Sequence, residues 1–427
     1  MRTSPAGAAR RYFGTDGVRG VVGEDLTVEL VEQLGSASTQ WSGRGRVLIG
    51  RDTRASGPEL EAAFARGVVS AGGNAVLAGV LPTPAVALLA LDLGVVISAS
   101  HNPPEYNGVK FFDRDGAKLT DRAEEGIEAL LDEPPRGGGK VDRIEVASDS
   151  YLEHIVDRFG SDLSGLRIAV DCANGAYSEI APEAFERLGA EVVTVAADPD
   201  GTNINLGCGA TDLTLLSHVV QERRTDFGVA FDGDGDRMLA VDERGEAVDG
   251  DQILSILALH LDVELVAVTV MTNFGFHRLM EERGIRVVTT SVGDRYVLEA
   301  LRREGGILGG EQSGHLICLR DHVTGDGLAG ALLLCAALGG RALSDAASVM
   351  PRYAQAKENI DASGSAVPAQ ALAEAERLNS ELDGRGRVLV RASGTEPLIR
   401  VLGEAETLEE ADALCGTIAA LVRRELG

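Results

Sequence analysis

Three segments of this 427-residue sequence repeat one pattern of alternating strands and helices. Each begins with a short apolar strand, at about 46–52, 167–171 or 266–270. A helical pattern, a glycine, a second strand, another helix and a third strand follow in each segment. Such alternation is typical of mainly parallel sheets covered by helices on both faces. The sequence therefore predicts three similar α/β domains.

The pattern changes after about Tyr353. A polar helix at 368–379, strands at 387–391 and 398–403, and a helix beginning at the capping box of Thr407 and Glu410 indicate a smaller α+β domain. The predicted fold is three similar α/β domains with mixed, mainly parallel sheets plus this C-terminal domain around a central cleft. The predicted domains are 1–147, 148–247, 248–354 and 355–427.

The net charge of −26 argues against nucleic acid or an anionic membrane as the main partner. A small anionic ligand would therefore need cations close by. Lysines are scarce, so those near glycine-rich loops stand out; the four are Lys110, Lys118, Lys140 and Lys357.

The five cysteines show no C-x-x-C spacing, which indicates reduced thiols and a cytoplasmic protein. Residues 1–10 contain Arg2 and Arg10 but no apolar core, so we expect no signal peptide. The longest apolar runs, such as 328–338, are too short to span a bilayer.

A serine loop, residues 98–103, ends the third strand of the first segment. Ser100 lies just past the carboxyl end of that strand, where open α/β sheets bind ligands. The loop lacks the G-x-S-x-G of a hydrolase, so an acyl-enzyme is not indicated. Such a serine can instead carry a phosphoryl group opposite a metal and cations. A short helix at 85–93 is expected before this strand.

An acidic loop, residues 232–237, ends the corresponding strand of the second segment. Asp232, Asp234 and Asp236 alternate with glycines, so the carboxylates share one side of a chain that can curl round an ion. Oxygen ligands of this kind suit Mg²⁺. An EF-hand with Glu243 at its twelfth position is an alternative, although Arg237 replaces the required glycine. A solvated acidic turn is another.

Other loops offer groups suited to phosphate or sugar. The glycine-rich stretch 12–20 contains Arg19, and the stretch 391–396 offers a guanidinium and two hydroxyls. Either is equally an ordinary turn. The loop 310–315 mixes polar groups that match sugar hydroxyls or an amine. Its His315 taken alone is more often structural, as Lys110 is more often a surface lysine. The glycines at 325, 327 and 330 indicate a helix start rather than a dinucleotide site.

Five motifs in this order resemble the α-D-phosphohexomutase superfamily over about residues 11–424. They are residues 14–20, 98–103, 232–237, 310–315 and 391–397. Gln312 and the stretch 291–295 are similar to the phosphoglucosamine mutase branch.

The resemblance implies an intramolecular phosphotransferase, an isomerase, in which Ser100 is phosphorylated. It would interconvert glucosamine 6-phosphate and glucosamine 1-phosphate through glucosamine 1,6-bisphosphate and feed UDP-N-acetylglucosamine synthesis. One Mg²⁺ would be bound by Ser100, Asp232, Asp234 and Asp236. Charge compensation and proton transfer would fall to Arg19, His101, Lys110 and Arg237. The sugar ring would contact Glu311, Ser313 and His315. The phosphate that is not transferred would contact Arg391, Ser393, Gly394, Thr395 and Arg400.

The expected partner is thus a hexosamine phosphate, with no nucleic acid or membrane, and the chain is expected to be a monomer or homodimer. Three other readings stay open. They are a phosphomannomutase/phosphoglucomutase with broader sugar choice, a metal-dependent sugar-phosphate phosphatase, and a catalytically silent sugar-phosphate-binding module.

Overall fold

A computed structural model describes residues 11–14, 16–362, 365–393 and 397–426. The expectation about a signal peptide in residues 1–10 lies outside these ranges. The chain divides into two compact units. The first comprises Met1–Val270 and Val288–Ala347, and the second comprises Met271–Val287 and Ser348–Gly427.

The first segment forms a six-stranded sheet in the order β1-β5-β4-β2-β3-β6. Its strands are β1 (Val18–Val21), β2 (Arg46–Arg51), β3 (Asn74–Val80), β4 (Leu93–Ile97), β5 (Tyr106–Asp113) and β6 (Val141–Arg143). Its helices are α1 (Val28–Trp41), α2 (Gly57–Ser70), α3 (Thr83–Leu88) and α4 (Asp121–Glu128). Strands β4, β2, β3 and β6 are parallel, whereas β5 runs antiparallel to β4 and β1. Every residue of β4 is buried, as expected for a central strand of β-branched residues.

The second segment forms a five-stranded sheet in the order β11-β10-β9-β7-β8. Its strands are β7 (Arg167–Asp171), β8 (Glu191–Val195), β9 (Phe227–Phe231), β10 (Met238–Val241) and β11 (Ala247–Val248). Its helices are α5 (Ala147–Phe159), α6 (Ile180–Arg187), a 3₁₀ turn (Gly209–Thr211) and α7 (Thr214–Arg223). Strand β7 is parallel to β8 and β9, and β10 returns antiparallel to β9. The β9–β10 turn therefore lies at the carboxyl end of a parallel strand.

The third segment forms a four-stranded sheet in the order β13-β12-β14-β15. Its strands are β12 (Leu265–Thr269), β13 (Arg286–Thr290), β14 (Leu308–Gly310) and β15 (Leu316–Cys318). Its helices are α8 (Gly250–His260), α9 (Phe274–Glu282), α10 (Asp294–Glu304), α11 (Gly327–Leu338) and α12 (Leu343–Ala347). Helix α8 begins at a capping box of Asp249 and Gln252. Helix α11 begins beside the glycines at 325, 327 and 330, which confirms the predicted helix start.

The last segment, within the second unit, is an antiparallel three-stranded sheet packed with two helices. Its elements are β16 (Ala354–Asp361), α13 (Ala369–Leu382), β17 (Gly386–Ala392), β18 (Leu398–Ala405) and α14 (Leu408–Leu426). Thr407 Oγ1 accepts from Glu410 N at the start of α14. Mixed, mainly parallel sheets followed by an α+β segment confirm the predicted fold class.

Two local predictions need correction or addition. The helix expected at 85–93 ends at Leu88, because Leu93 already pairs with Val47 of the neighbouring parallel strand. Strand β16 was not predicted, because its mainly polar sequence lacks the apolar alternation typical of a strand. It pairs with β18 over eight residues. All five cysteines are buried and free, as expected. None of the helices in the described ranges combines the length and apolar character needed to cross a bilayer.

Candidate active site

Ser100 lies three residues beyond the end of β4 at Ile97 and is 1% exposed. Its φ of 53° is left-handed, a conformation that costs energy for a residue with a side chain. The Ser100 Oγ donates to Asp232 Oδ2 at 2.5 Å and lies 3.2 Å from His101 Nδ1. The serine loop and the acidic loop therefore meet, as predicted.

The acidic triad lies in the β9–β10 turn. One carboxylate oxygen from each of Asp232, Asp234 and Asp236 lies within 4.8 Å of the others, and all three residues are buried. Asp234 Oδ1 and Asp236 Oδ1 have no hydrogen-bond partner among the described residues. Gly235 at φ 79° allows the turn, and a Cβ there would lie 2.4 Å from the Tyr177 ring. Buried carboxylate oxygens without donors fit a hard divalent cation such as Mg²⁺.

The EF-hand alternative is wrong. The acidic loop joins two antiparallel strands rather than two helices. Glu243 lies beyond β10, and its carboxylate accepts from the Ser344 backbone N–H and hydroxyl. Because the triad is also buried, it is not a solvated acidic turn.

The pKa values of Asp232 and Asp236 are shifted in opposite directions. Burial and the charges of Asp236 and Asp234 raise the pKa of Asp232 to about 8. Burial alone would also raise the pKa of Asp236, but Lys110, His315 and Arg237 lower it well below its usual range. Burial and two neighbouring carboxylates thus oppose ionisation of Asp232, and an added cation would favour its charged form.

Lys110 is the cation at the centre of this cluster. It is 1% exposed, and its Nζ lies 2.7 Å from Asp234 Oδ2, 3.3 Å from Asp236 Oδ2 and 3.1 Å from Asp16 Oδ2. Burial would lower its pKa, but the three carboxylates raise it. The surface-lysine reading is therefore wrong.

Two arginines and a histidine flank Lys110. Arg19 pairs with Asp16, and Arg237 Nε lies 3.7 Å from Asp236 Oδ1. Burial lowers the pKa of His101 to about 4, with Arg237 and Arg19 adding to the effect. His101 is therefore neutral at neutral pH and can exchange a proton with Ser100 Oγ.

The loop between β14 and β15 brings a third domain to the triad. His315 Nδ1 lies 3.7 Å from Asp236 Oδ1, and its Nε2 lies 3.3 Å from Asp294 Oδ2. Burial would lower the pKa of His315, but Asp294 and Asp236 raise it. Glu311 Oε1 accepts from Gly293 N at 3.1 Å. Ser313 is exposed at the tip of the loop.

The predicted phosphate-binding residues lie in the second unit. Arg391 on β17 pairs in register with Arg400 on β18. Burial and the charge of Arg400 lower the pKa of Arg391. Ser393 N donates to Leu398 O at 2.7 Å. Gly394 and Thr395 lie outside the described residues.

Comparison with known families gives four matches in chain order. Models of phosphoglucomutase/phosphomannomutase α/β/α domains I, II and III match residues 10–136, 149–245 and 249–353. The model of the C-terminal domain matches residues 352–421. The chain belongs to the phosphoglucomutase/phosphomannomutase family. This confirms the predicted superfamily.

Individual relatives support the family assignment over the whole chain. A phosphoglucosamine mutase from Streptomyces griseus is 48% identical, covering 98% of this chain and 100% of the relative. The structure of a phosphoglucomutase/phosphomannomutase family protein from Burkholderia thailandensis has a TM-score of 0.81 at 26% identity, covering 96% of this chain and 95% of that one. An Aspergillus fumigatus N-acetylphosphoglucosamine mutase in complex with GlcNAc-6P and magnesium shares the fold, with a TM-score of 0.71 at 19% identity over 98% of this chain and 96% of that one.

Sequence reasoning missed an outer layer of charges around this family's serine and acidic loops. Lys118 Nζ lies 2.6 Å from Asp16 Oδ1 and 2.5 Å from Asp294 Oδ2. Thr83 Oγ1 also donates to Asp234 Oδ2 at 2.5 Å. The scarcity of lysine was a usable signal for Lys118. Asp16 lies in the glycine-rich stretch 12–20, but no signal pointed to Thr83.

Proposed function

We propose that this chain is an intramolecular phosphotransferase that interconverts glucosamine 6-phosphate and glucosamine 1-phosphate. The reaction proceeds through phosphoserine at Ser100 and a glucosamine 1,6-bisphosphate intermediate, which also acts as activator. The observation that carries this proposal is the 2.5 Å contact of Ser100 Oγ with Asp232 in a buried acidic triad. Its product would feed UDP-N-acetylglucosamine synthesis.

The phosphoryl group passes from Ser100 to the free hydroxyl of the sugar phosphate, and the hydroxyl proton leaves to a base. The bisphosphate then reorients, and its other phosphoryl group returns to Ser100. A loose phosphoryl transition state needs positioning and charge compensation more than covalent help. Lys110, Arg19 and Arg237 supply that charge, and neutral His101 is placed to move a proton at Ser100 Oγ.

The residues that would hold one Mg²⁺ are Ser100, Asp232, Asp234 and Asp236. When bound, the ion neutralises charge on the transferring phosphoryl group. The buried oxygens of Asp234 and Asp236 that have no donor among the described residues support this assignment.

Substrate recognition is divided between two sets of residues. Glu311, Ser313 and His315 bind the sugar ring, and the carboxylate of Glu311 suits the hydroxyls or amine of a hexosamine. The phosphate that is not transferred would contact Arg391, Ser393, Gly394, Thr395 and Arg400. Two arginines in register on adjacent strands support that assignment.

The choice of glucosamine over other sugars rests on similarity to relatives named phosphoglucosamine mutases, at 44–48% identity over nearly the whole chain. We further propose a cytoplasmic monomer or homodimer that acts on a small molecule and engages neither nucleic acid nor membrane. Its four domains would span 1–147, 148–247, 248–354 and 355–427.

A coupled assay with Mg²⁺ and the bisphosphate tests the proposal. The kcat/KM for glucosamine 6-phosphate should exceed that for glucose 6-phosphate by about 100-fold or more. Equal values would refute the glucosamine specificity and favour a broader phosphomannomutase/phosphoglucomutase. Stoichiometric release of inorganic phosphate would instead identify a phosphatase, and no turnover of any sugar phosphate would leave a binding module.

A further inference from the structure

Arg54 lies between β2 and α2 and is among the largest fully buried side chains, with no exposed surface. A guanidinium in such a place needs a partner for every N–H group. Here each of its five donors has one. The Nε donates to Asp52 Oδ2 at 2.9 Å, and the other four N–H groups reach main-chain carbonyl oxygens.

All four carbonyls belong to the serine loop and the residue at which β5 begins. Nη2 donates to Ser100 O at 2.9 Å and to Asn102 O at 2.8 Å. Nη1 donates to Tyr106 O at 3.0 Å and to Pro103 O. Arg54 therefore contacts four peptide groups within seven residues of chain. Asn205 Nδ2 donates to two of the same carbonyls, Ser100 O at 2.9 Å and Asn102 O at 3.3 Å, whereas among the described residues only Arg54 reaches all four.

The amide on the other side of Ser100 is tied to the same ion pair. Ser100 N donates to Ser98 Oγ at 2.8 Å, and Ser98 Oγ donates to Asp52 Oδ2 at 2.6 Å. Both the N–H and the C=O of Ser100 thus lead back to Arg54 and Asp52. A left-handed φ at a residue with a Cβ persists only where the surroundings impose it, and this network imposes it.

A buried ion pair of this kind is a poor source of stability, since desolvation offsets most of its attraction. Its geometry, in contrast, is specific, because only arginine offers five donors in a planar fork. Lysine would keep the charge but has three donors, so it cannot hold all four carbonyls and Asp52.

We propose that Arg54 is a positioning residue that sets the backbone of the serine loop and thereby aims Ser100 Oγ at Asp232. Asp52 and Ser98 act with it. The inference rests on the proposed role of Ser100 as the group that carries the phosphoryl. Arg54 is fully buried, and its hydrogen bonds go to Asp52 and to main-chain carbonyls rather than to the triad or the proposed sugar-binding residues, so its effect should be on transfer rather than on sugar binding.

The test uses Arg54→Lys in the full-length enzyme, with Ser98→Ala as a milder change in the same network. Arg66→Lys, a surface arginine paired with Glu32, is the matched control. Val31→Ala, on the buried face of α1, supplies a variant of lowered Tm away from the loop. The measurements are kcat and KM, the phosphate mass on Ser100, and amide hydrogen exchange of residues 98–106.

For Arg54→Lys we expect kcat to fall about 100-fold, since a displacement of about 1 Å of a reacting group has that effect. KM should stay within about threefold, because binding contacts are untouched. Exchange in residues 98–106 should rise, whereas Arg66→Lys and Val31→Ala should keep the wild-type kcat and the wild-type exchange there. Ser98→Ala should show the same pattern with a smaller fall.

Wild-type kcat in both Arg54→Lys and Ser98→Ala would overturn the inference. The inference would also be overturned if Val31→Ala, compared at the same Tm as Arg54→Lys, showed the same fall in kcat. If the wild type itself shows no mutase activity, the proposed function fails. Hydrogen exchange then still decides the inference, which is overturned if residues 98–106 exchange no faster in Arg54→Lys than in Val31→Ala.

Discussion

Ser100 Oγ and Asp232 Oδ2 are 2.5 Å apart although 132 positions separate them in the chain. Their contact predicts that a phosphate on Ser100 enters the acidic triad. Ser100→Ala should therefore lack the phosphate mass increment that the wild type carries, and mutase activity should fall at least about 1,000-fold. Intact mass and the coupled assay measure both. Ser380→Ala, an exposed serine on α13, should change neither; a phosphate retained by Ser100→Ala would place the modification elsewhere.

The triad should bind Mg²⁺ through charge as well as shape. Asp234→Asn keeps the shape and removes one charge, so titration calorimetry should show Mg²⁺ affinity at least about 10-fold weaker, with activity falling alongside. Chelation should abolish wild-type activity, and added Mg²⁺ should restore it. Asp212→Asn, at an exposed aspartate of the same domain, is the control. Unchanged affinity in Asp234→Asn would argue against the metal site.

Lys110 should matter most when the metal is removed. Lys110→Met leaves the carboxylates of Asp16, Asp234 and Asp236 without this cation, a change that costs about 3–5 kcal/mol in buried pairs. The fall in Tm should be larger in chelator than in Mg²⁺, because the ion replaces part of the lost charge. Lys140→Met, at a surface lysine, should have no such dependence. An equal fall in both buffers would contradict this account.

Protonation of the buried His277 should lower the stability of the fold at acidic pH. Burial, with the nearby charge of Arg387, lowers its pKa from 6.5 to about 4. The unfolded chain then binds more protons than the folded one between these values, so stability is full above pH 6.5 and falls towards pH 4, by at most about 3 kcal/mol. His277→Leu should flatten the dependence of Tm on pH over that window. His218→Leu, at an exposed histidine, should leave the dependence of Tm on pH as steep as in the wild type. An equally steep dependence in His277→Leu would contradict the explanation.

Glu404 should anchor the second unit. It is fully buried, and its carboxylate accepts from Phe274 N at 3.1 Å, from Gln355 Nε2 at 2.7 Å and from Arg387 Nε. Glu404→Gln replaces an acceptor of charge-assisted bonds by a group that also donates, at a cost of about 2–3 kcal/mol. Calorimetry should show a lower Tm than for Glu406→Gln, at an exposed neighbour. Equal Tm values would show that the buried contacts contribute nothing net.

The sequence predicted the candidate site best where its residues lie in loops that directly follow strands. Each of the loops that carry Ser100 and Asp232 ends a buried strand of its own sheet, at the edge where α/β sheets bind ligands. Their meeting could be predicted because equivalent loops of similar domains were expected to face one cleft. The partners of Lys118 could not be predicted, because Asp16 and Asp294 lie in distant stretches of the chain that only tertiary packing brings together. The positioning role of Arg54 could not be predicted from the sequence for another reason. Four of its five acceptors are main-chain carbonyls, which leave no trace in residue identity.

The loop that carries Glu311 and His315 is joined to the acidic loop through the main chain. Met238 N donates to Gly314 O at 2.9 Å, and a Cβ at Gly314 would lie 2.3 Å from Met238 O. Lengthening either loop would shift the other, so an insertion or deletion in the proposed sugar-binding loop would also disturb the residues proposed to bind the ion. Diversification at this place is confined to exchanging side chains such as Gln312 on a main chain of constant length.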